Sequence, residues 1–151
     1  MLEAIDRWQR VGITAEQSAA LQDASILITP LPAEAAGAFD GSVIYLDDDG
    51  AGHGWFVDPT PKRDEEYRIG GNARAFTEAA NRVDLLSAVM HEMGHVIGLD
   101  HDHDHDLEVM DEELLPGERT APDVIHDRIF SQDLWRNKLR HRKTNLNHRR
   151  G

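Results

Sequence analysis

The sequence predicts an α+β fold with a small twisted sheet and a few helices, and two observations support this. Apolar residues recur with helical periodicity at residues 2–10 and again at residues 81–97. Between these segments lie short runs rich in β-branched and aromatic residues, bounded by Pro, Gly and Asp. The chain of 151 residues suits one domain with its own core, which we expect to cover residues 1–135.

Two short helices are predicted at the start of the chain. The first covers residues 2–10, and its apolar face is formed by three side chains, Leu2, Ile5 and Trp8. The second covers residues 15–22, because Thr14 followed by Gln17 is a capping-box pattern that satisfies the first free amides of a helix. Aromatic residues make up only 6% of the chain and are therefore expected in the core. The four considered are Trp8, Trp55, Phe56 and Trp135.

Three β-strands are predicted in the middle of the chain. They are the β-prone runs at residues 25–29, 42–46 and 54–57, each of which is ended by Pro or Asp. Residues 33–40 are small and contain Gly, so we expect a loop there. Residues 60–71 are charged and contain Pro and Gly, which indicates a long surface loop.

A longer helix follows these strands. Asn81 is its predicted N-cap, with Asp84 placed to reach back to the first turn. Gly98 is its predicted end, since glycine readily adopts the left-handed conformation that terminates helices. The apolar stripe consists of Leu86, Met90, Met93 and Ile97. A last helix is predicted over residues 124–135, where the apolar side chains are again at helical spacing.

Residues 91–101 carry the pattern HExxHxxGxxH. His91 and His95 are four residues apart, so both imidazoles project from one face of the helix and can share one ion. Gly98 permits a sharp turn that brings back His101 as a third ligand. Three protein ligands leave a fourth position for water, which is the arrangement of a catalytic rather than a structural zinc site.

Glu92 is the predicted general base of this site. It is adjacent to the first ligand, so its carboxylate can reach the open side of the metal without binding it. Zinc lowers the pKa of a bound water towards about 7, and Glu92 would take its proton as the water attacks a carbonyl. Asp100 is an alternative third ligand, because carboxylates also bind zinc.

The HExxHxxGxxH segment resembles the extended zinc signature of the metzincin clan of zincin metallopeptidases, which includes matrixins, serralysins and astacins. This resemblance implies a two-subdomain zincin fold, with an N-terminal subdomain of about residues 1–98 and a C-terminal subdomain of about residues 99–135. It also implies a Met-turn beneath the metal, for which Met110 in the segment 106–110 is the candidate. The cleft between the subdomains would take an extended peptide.

The resemblance implies further properties of the chain. One catalytic zinc, a peptide or protein substrate, and a secreted or cell-surface location are expected. Residues 44–59 look like the strand region that precedes the active-site helix of these folds, where an edge strand binds peptide through its backbone. Two family features are weak here, because only His53 is placed for a structural zinc site and no Tyr follows Met110.

Two acidic segments leave alternatives open. Residues 47–50 (DDDG) are expected to form a turn, with a calcium site as the alternative, although the bidentate Glu of an EF-hand is missing. Residues 101–106 (HDHDHD) are expected to form a solvated loop with His101 turned inward. The alternatives are that the segment binds an extra divalent ion, or that His103 or His105 competes with His101 as a ligand.

Charge and composition exclude several classes of function. The net charge is −12, so the main surface is not expected to bind nucleic acid, and no apolar run is long enough to cross a membrane. There is no cysteine, which excludes disulfides and thiolate metal sites. Residues 136–151 carry seven basic and no acidic residues, and this basic tail is expected to be a solvated terminus or a binding segment for an anionic partner.

The sequence therefore favours a zinc-dependent endopeptidase in which His91, His95 and His101 hold the metal. A catalytically silent zinc-binding module of a larger secreted or surface protein is the main alternative. Glu92 favours the enzyme, because a silent site needs no general base. A metal-storage protein built on residues 101–106 is a third hypothesis, and it would need no ordered helix.

Overall fold

The computed structural model describes residues 1–32, 35–102 and 107–122. Within them the chain forms a small α+β fold, as predicted, and it contains three α-helices and five short strands where three strands were expected. In chain order these are α1 (Leu2–Arg10), α2 (Ala15–Asp23), β1 (Ser25–Ile28), β2 (Gly37–Phe39), β3 (Val43–Leu46), β4 (Trp55–Phe56), β5 (Val83–Asp84) and α3 (Leu85–Val96). The predicted helix at 124–135 and the basic tail lie outside the described residues.

Helix α1 has the predicted bounds and packs on α3. Trp8 is fully buried, and its indole Nε1 donates a hydrogen bond of 3.0 Å to the carbonyl oxygen of Met90. The prediction that Leu2 shares this buried face is wrong, since the side chain is 81% exposed. Ala4, Ile5 and Trp8 define the buried face, and Leu2 lies about a third of a turn away from its centre.

Helix α2 begins with the predicted capping box. Thr14 Oγ1 accepts a hydrogen bond of 3.1 Å from the Gln17 amide, and Gln17 Oε1 accepts one of 2.9 Å from the Thr14 amide. The side chain of Gln17 is buried, and its Nε2 also donates to the carbonyl oxygen of Ile97 at 3.3 Å. The start of α2 therefore satisfies one of the carbonyls that the end of α3 leaves free.

The main sheet has three strands in the order β1-β3-β2. Strand β1 is parallel to β3, whereas β2 is antiparallel to β3 with Ala38 opposite Tyr45. Residues 37–39 were predicted to be a loop, and this is wrong. Gly and Ala have low strand propensity, so the strand forms because β3 offers it a complete set of backbone partners.

The start of α3 also differs from the prediction. Asp84, not Asn81, is the N-cap, and its Oδ2 accepts a hydrogen bond of 3.0 Å from the Ser87 amide. Asn81 instead ends a short 3₁₀ helix, and the extended pair Val83–Asp84 forms β5, which is parallel to β4. Both residues are good caps, and the pairing with β4 decides between them.

The predicted apolar stripe of α3 is buried, and the helix packs on α1, β2 and β3. Four side chains form this stripe: Leu86, Met90, Met93 and Ile97. The long loop at 60–71 contains no helix or strand, as expected. Among the described residues no helix has the length and apolar character needed to cross a membrane.

Arg119 connects the long loop at residues 60–71 to the start of α3. It is buried, and its guanidinium binds both oxygens of Asp84, at 3.0 and 2.8 Å. It also donates to Asp58 at 2.8 Å and to Asp64 at 2.9 Å, and it stacks over the ring of Tyr67. Burial alone would lower the pKa of Arg119, but the hydrogen bonds and charges of the three carboxylates raise it above its ordinary value.

Candidate metal centre

The C-terminal end of α3 forms the turn that the sequence predicts. Gly98 follows the helix with φ of +95°, a left-handed conformation that glycine adopts without strain. Its amide donates to the carbonyl oxygen of His95 at 3.1 Å, and the next amide, of Leu99, donates to that of Gly94 at 2.9 Å. The chain therefore reverses within a few residues and returns His101 to the helix.

Three imidazoles meet at this turn. The Nε2 atoms of His91, His95 and His101 lie 3.2 Å from one another in all three pairs. Zinc bound to imidazole nitrogens at about 2.0–2.1 Å in a tetrahedral site places those nitrogens roughly 3.3 Å apart. The three rings therefore fit one metal ion and could hold it.

Backbone carbonyls orient two of these rings. Nδ1 of His91 lies 3.0 Å from the carbonyl oxygen of Val109, and Nδ1 of His95 lies 2.9 Å from that of Leu99. A carbonyl only accepts, so each Nδ1 carries the proton and each Nε2 keeps its lone pair for a ligand bond. Burial and the neighbouring His95 lower the pKa of His91 to about 4, which keeps this ring neutral.

Glu92 lies on the same helix and is buried. Burial raises its pKa to about 7, and its Oε2 has no hydrogen-bond partner among the described residues. Its side chain packs against Gly37 of β2, where a Cβ atom would come within 3.0 Å of Glu92 Cγ. The carboxyl group is thus buried beside β2, the edge strand of the described sheet.

Met110 lies beneath the helix, where a tight turn brings it. Its amide donates to the carbonyl oxygen of Leu107 at 2.8 Å, and its own carbonyl accepts from the Asp102 amide at 2.9 Å. The Met110 side chain is fully buried, and its sulfur occupies the space that a side chain at position 94 would need. Gly94 therefore belongs to the site, although the sequence pattern assigned it no role.

The residues that the sequence offered as alternative metal ligands lie outside the cluster of three imidazoles. Asp100 and His53 are both exposed, and neither belongs to a potential metal-binding cluster within the described residues. Residues 47–49 do form a second acidic group, but Asp47 already accepts hydrogen bonds from the amides of Leu31, Asp49 and Ala51. These bonds explain the predicted turn and lower the pKa of Asp47 to about 2. Calcium there stays a prediction, and residues 103–106 lie outside the described part of the chain.

Comparison with known proteins identifies the family. The family model of the matrixins matches residues 3–119, a range that includes all of the site residues described above. No curated protein and no solved structure matches the chain significantly. The matched range covers most of the chain and includes the helix, the turn and Met110. The chain therefore belongs to the matrixin family, as a metzincin-type zincin metallopeptidase domain.

Proposed function

We propose that this domain is a zinc-dependent endopeptidase. The observation that carries the proposal is the convergence of three imidazole Nε2 atoms, 3.2 Å apart, two of them from α3, the helix that also holds the buried Glu92. Membership of the matrixin family implies zinc as the metal and a peptide or protein as the substrate.

His91, His95 and His101 are the proposed zinc ligands. The carbonyls of Val109 and Leu99 hold the first two rings in the tautomer that a metal ligand requires. When bound to these three rings, zinc supplies Lewis-acid activation of a water molecule and of the substrate carbonyl. The rings themselves stay neutral and fix the position at which the reaction takes place.

Glu92 is the proposed general base and acid. Its carboxylate accepts the proton that water loses on attacking the peptide carbonyl, and it returns that proton to the nitrogen of the departing amine. A pKa of about 7 suits both steps, because the group takes up and releases a proton near neutral pH. No net proton is gained or lost by Glu92 over the cycle.

Strand β2 is the proposed binding edge for the peptide. It is the last strand of the sheet in the described residues, and Gly37 of this strand packs against Glu92. An extended peptide can add to an open edge through main-chain hydrogen bonds, which places its carbonyls in line with the site. The sequence resemblance suggested the segment 44–59 instead. Within it β3 pairs with strands on both sides, and β4 belongs to the separate sheet that it forms with β5.

Met110 is the proposed Met-turn residue. Its contact with Gly94 fixes the distance between the turn and α3, and the preceding carbonyl of Val109 holds His91. The turn therefore supports the proposed ligands from below without contacting substrate.

The rival function is a silent zinc-binding module, and the experiment must separate the two. We would incubate the purified protein with a library of internally quenched peptides, measure zinc per chain, and repeat both measurements on Glu92→Gln. Glu16→Gln, on the exposed side of α2, is the matched control. The proposal expects one zinc per chain in all three proteins and cleavage in all except Glu92→Gln. Zinc binding without cleavage by the wild-type protein would support the silent module instead.

The place of action is also a proposal. We infer from the family resemblance that the domain acts outside the cell or at its surface. Detection of the natural protein by antibody in culture medium or on intact cells tests this, and its confinement to the cytosolic fraction would contradict it.

A further inference from the structure

A cavity of about 400 Å³ lies against α3, next to the proposed zinc site. Its helix wall includes Ser87, which is four residues before His91 and therefore lies in the same row of side chains as His91 and His95. Its opposite wall is the segment 111–115, which directly follows Met110. The cavity thus lies about one helical turn from the first proposed ligand.

The walls of this cavity are acidic. Carboxylates line it from three parts of the chain, and the part of the lining that the structure describes contains no Lys, Arg or His. Asp84 is already bound by Arg119. Asp102 accepts a hydrogen bond of 2.8 Å from the Leu107 amide. The other acidic residues of the lining are Asp111, Glu112, Glu113 and Glu118. A concave site with one sign of charge and low-dielectric walls concentrates the opposite charge, so the cavity favours a cation.

The lining also has an apolar part. Val83 is buried, and Leu114 and Leu115 contribute aliphatic surface on the facing segment. Thr120 lines the cavity as well, and its buried Oγ1 has no hydrogen-bond partner among the described residues. Lysine and arginine combine an aliphatic stem with a charged head that donates hydrogen bonds, which matches this combination of walls. A small inorganic cation would use the carboxylates but not the apolar surface.

We propose that this acidic cavity binds the side chain of a lysine or arginine of the substrate, within two residues of the cleaved bond. The inference rests on the proposed peptidase function, and it adds a substrate class to it. The volume lies within the range of roughly 300–1,000 Å³ that is typical of ligand pockets. The occupied cavity would fix the register of the peptide along β2 and so select which bond meets Glu92.

Cleavage selectivity is the first test. We would compare two sets of quenched peptides. At one position after another, the first set carries lysine and the second set carries norleucine, an uncharged side chain of similar length. The wild-type protein should cleave the lysine peptide with a kcat/KM about tenfold higher at one position near the cleaved bond. In the double variant Glu112→Gln/Glu113→Gln, the ratio of kcat/KM for the lysine peptide to that for the norleucine peptide should fall about tenfold. Glu16→Gln/Glu78→Gln removes two exposed carboxylates that do not line the cavity, and it should keep the preference.

Equilibrium binding is the second test, and it separates this inference from the proposed function. The affinity of the zinc-loaded Glu92→Gln protein for the same peptides would be measured by calorimetry, with and without the two glutamine substitutions. Cleavage without lysine preference in rate or affinity overturns the acidic cavity and leaves the peptidase standing. Tighter binding of lysine peptides without any cleavage supports the cavity and contradicts the peptidase. A third outcome is that the protein binds calcium, that Glu112→Gln/Glu113→Gln weakens this calcium binding, and that lysine and norleucine peptides bind with equal affinity. This outcome would identify an ion site and overturn the inference.

Discussion

Helix α3 has a polar cluster at each end, and the two clusters are satisfied in different ways. At its N-terminal end, Asp84 receives two hydrogen bonds from Arg119, which also binds Asp58 and Asp64. At its C-terminal end, the outer nitrogens of two imidazoles are bound by carbonyls, while three Nε2 atoms face one another. Carboxylates and guanidinium groups complete each other's hydrogen bonds, whereas neutral imidazole lone pairs require a cation.

The difference indicates which cluster stabilises the fold from within the chain and which belongs to the proposed zinc site. The N-terminal cluster draws its described partners from the chain, so its contribution should be independent of added metal. The C-terminal cluster is preorganised by the backbone but needs a group from outside the chain. The predictions below test this contrast, from the largest expected effect to the smallest.

Loss of Arg119 should have the largest effect on stability. Arg119→Met removes the charge that pairs Asp84 in the buried cluster, and leaving a buried ion unpaired costs about 3–5 kcal/mol of unfolding free energy. Arg82→Met is the control, because the Arg82 side chain is 48% exposed and lies 3.8 Å from Glu78. We expect a change of about 0.5 kcal/mol there. Urea denaturation of both variants measures the difference, and equal costs would show that the N-terminal cluster is not a buried network.

Zinc should stabilise the folded protein, and it should do so only through the C-terminal cluster. At a free zinc concentration of about one hundred times the dissociation constant, binding adds about 2.7 kcal/mol to the unfolding free energy. A chelator should remove this increment from the wild-type protein and from Arg119→Met. It should have no effect on His95→Ala, which lacks a proposed ligand. A chelator effect of the same size in His95→Ala would mean that the metal binds elsewhere.

Gly94→Ala should disturb the support of the metal site. The new methyl group would occupy the position of the Met110 sulfur, and overpacking of a buried contact costs about 1–3 kcal/mol. A double-mutant cycle with Met110→Ala checks the cause. The two costs should sum to more than the cost of the double variant, because the smaller side chain makes room for the methyl group. Strictly additive costs would contradict the contact.

Asp64 should give the smallest effect, a stabilisation that is present at neutral pH and is lost as the solution becomes acidic. Burial alone would raise the pKa of Asp64, but hydrogen bonds from Arg7 and Arg119 outweigh it and lower the pKa below its ordinary value. A lowered folded-state pKa adds stability above the unfolded-state pKa of about 3.9, and this is lost as pH falls through the folded-state value. The side chain is 50% exposed, so we expect less than about 1 kcal/mol.

The measurement for Asp64 is the unfolding free energy between about pH 5 and pH 2. Asp64→Asn should flatten its decrease towards acidic pH, whereas Asp23→Asn, which removes an exposed carboxylate at the end of α2, should leave the decrease unchanged. If the unfolding free energy of Asp64→Asn falls towards acidic pH as steeply as that of the wild-type protein, Asp64 does not contribute to this decrease.

Local patterns predicted most of the helices. The bounds of α1 and the start of α2 follow from apolar spacing and from the capping box of Thr14 and Gln17, which depend only on neighbouring residues. The placement of His91, His95 and His101 was predicted for the same reason. Their geometry follows from the helical repeat and from one glycine turn.

Features that depend on distant partners were not predicted. The strand β2 forms through pairing with β3, and its Gly-Ala-Phe sequence has no strand pattern of its own. The choice of Asp84 over Asn81 as N-cap depends on β4 and on Arg119, which follows Asp84 by many residues. No periodicity or spacing rule connects such positions, so the network around Arg119 gave no signal in the sequence.

Gly37 has a consequence for how the domain tolerates substitution. It lies far upstream of the histidines, yet any side chain there would push against the buried carboxyl group of Glu92. In a saturation-mutagenesis selection for activity, Gly37 should be as intolerant as the motif itself, while its exposed neighbour Ala38 should accept change. Engineers who wish to redesign the domain should therefore treat Gly37 as fixed, together with the histidines.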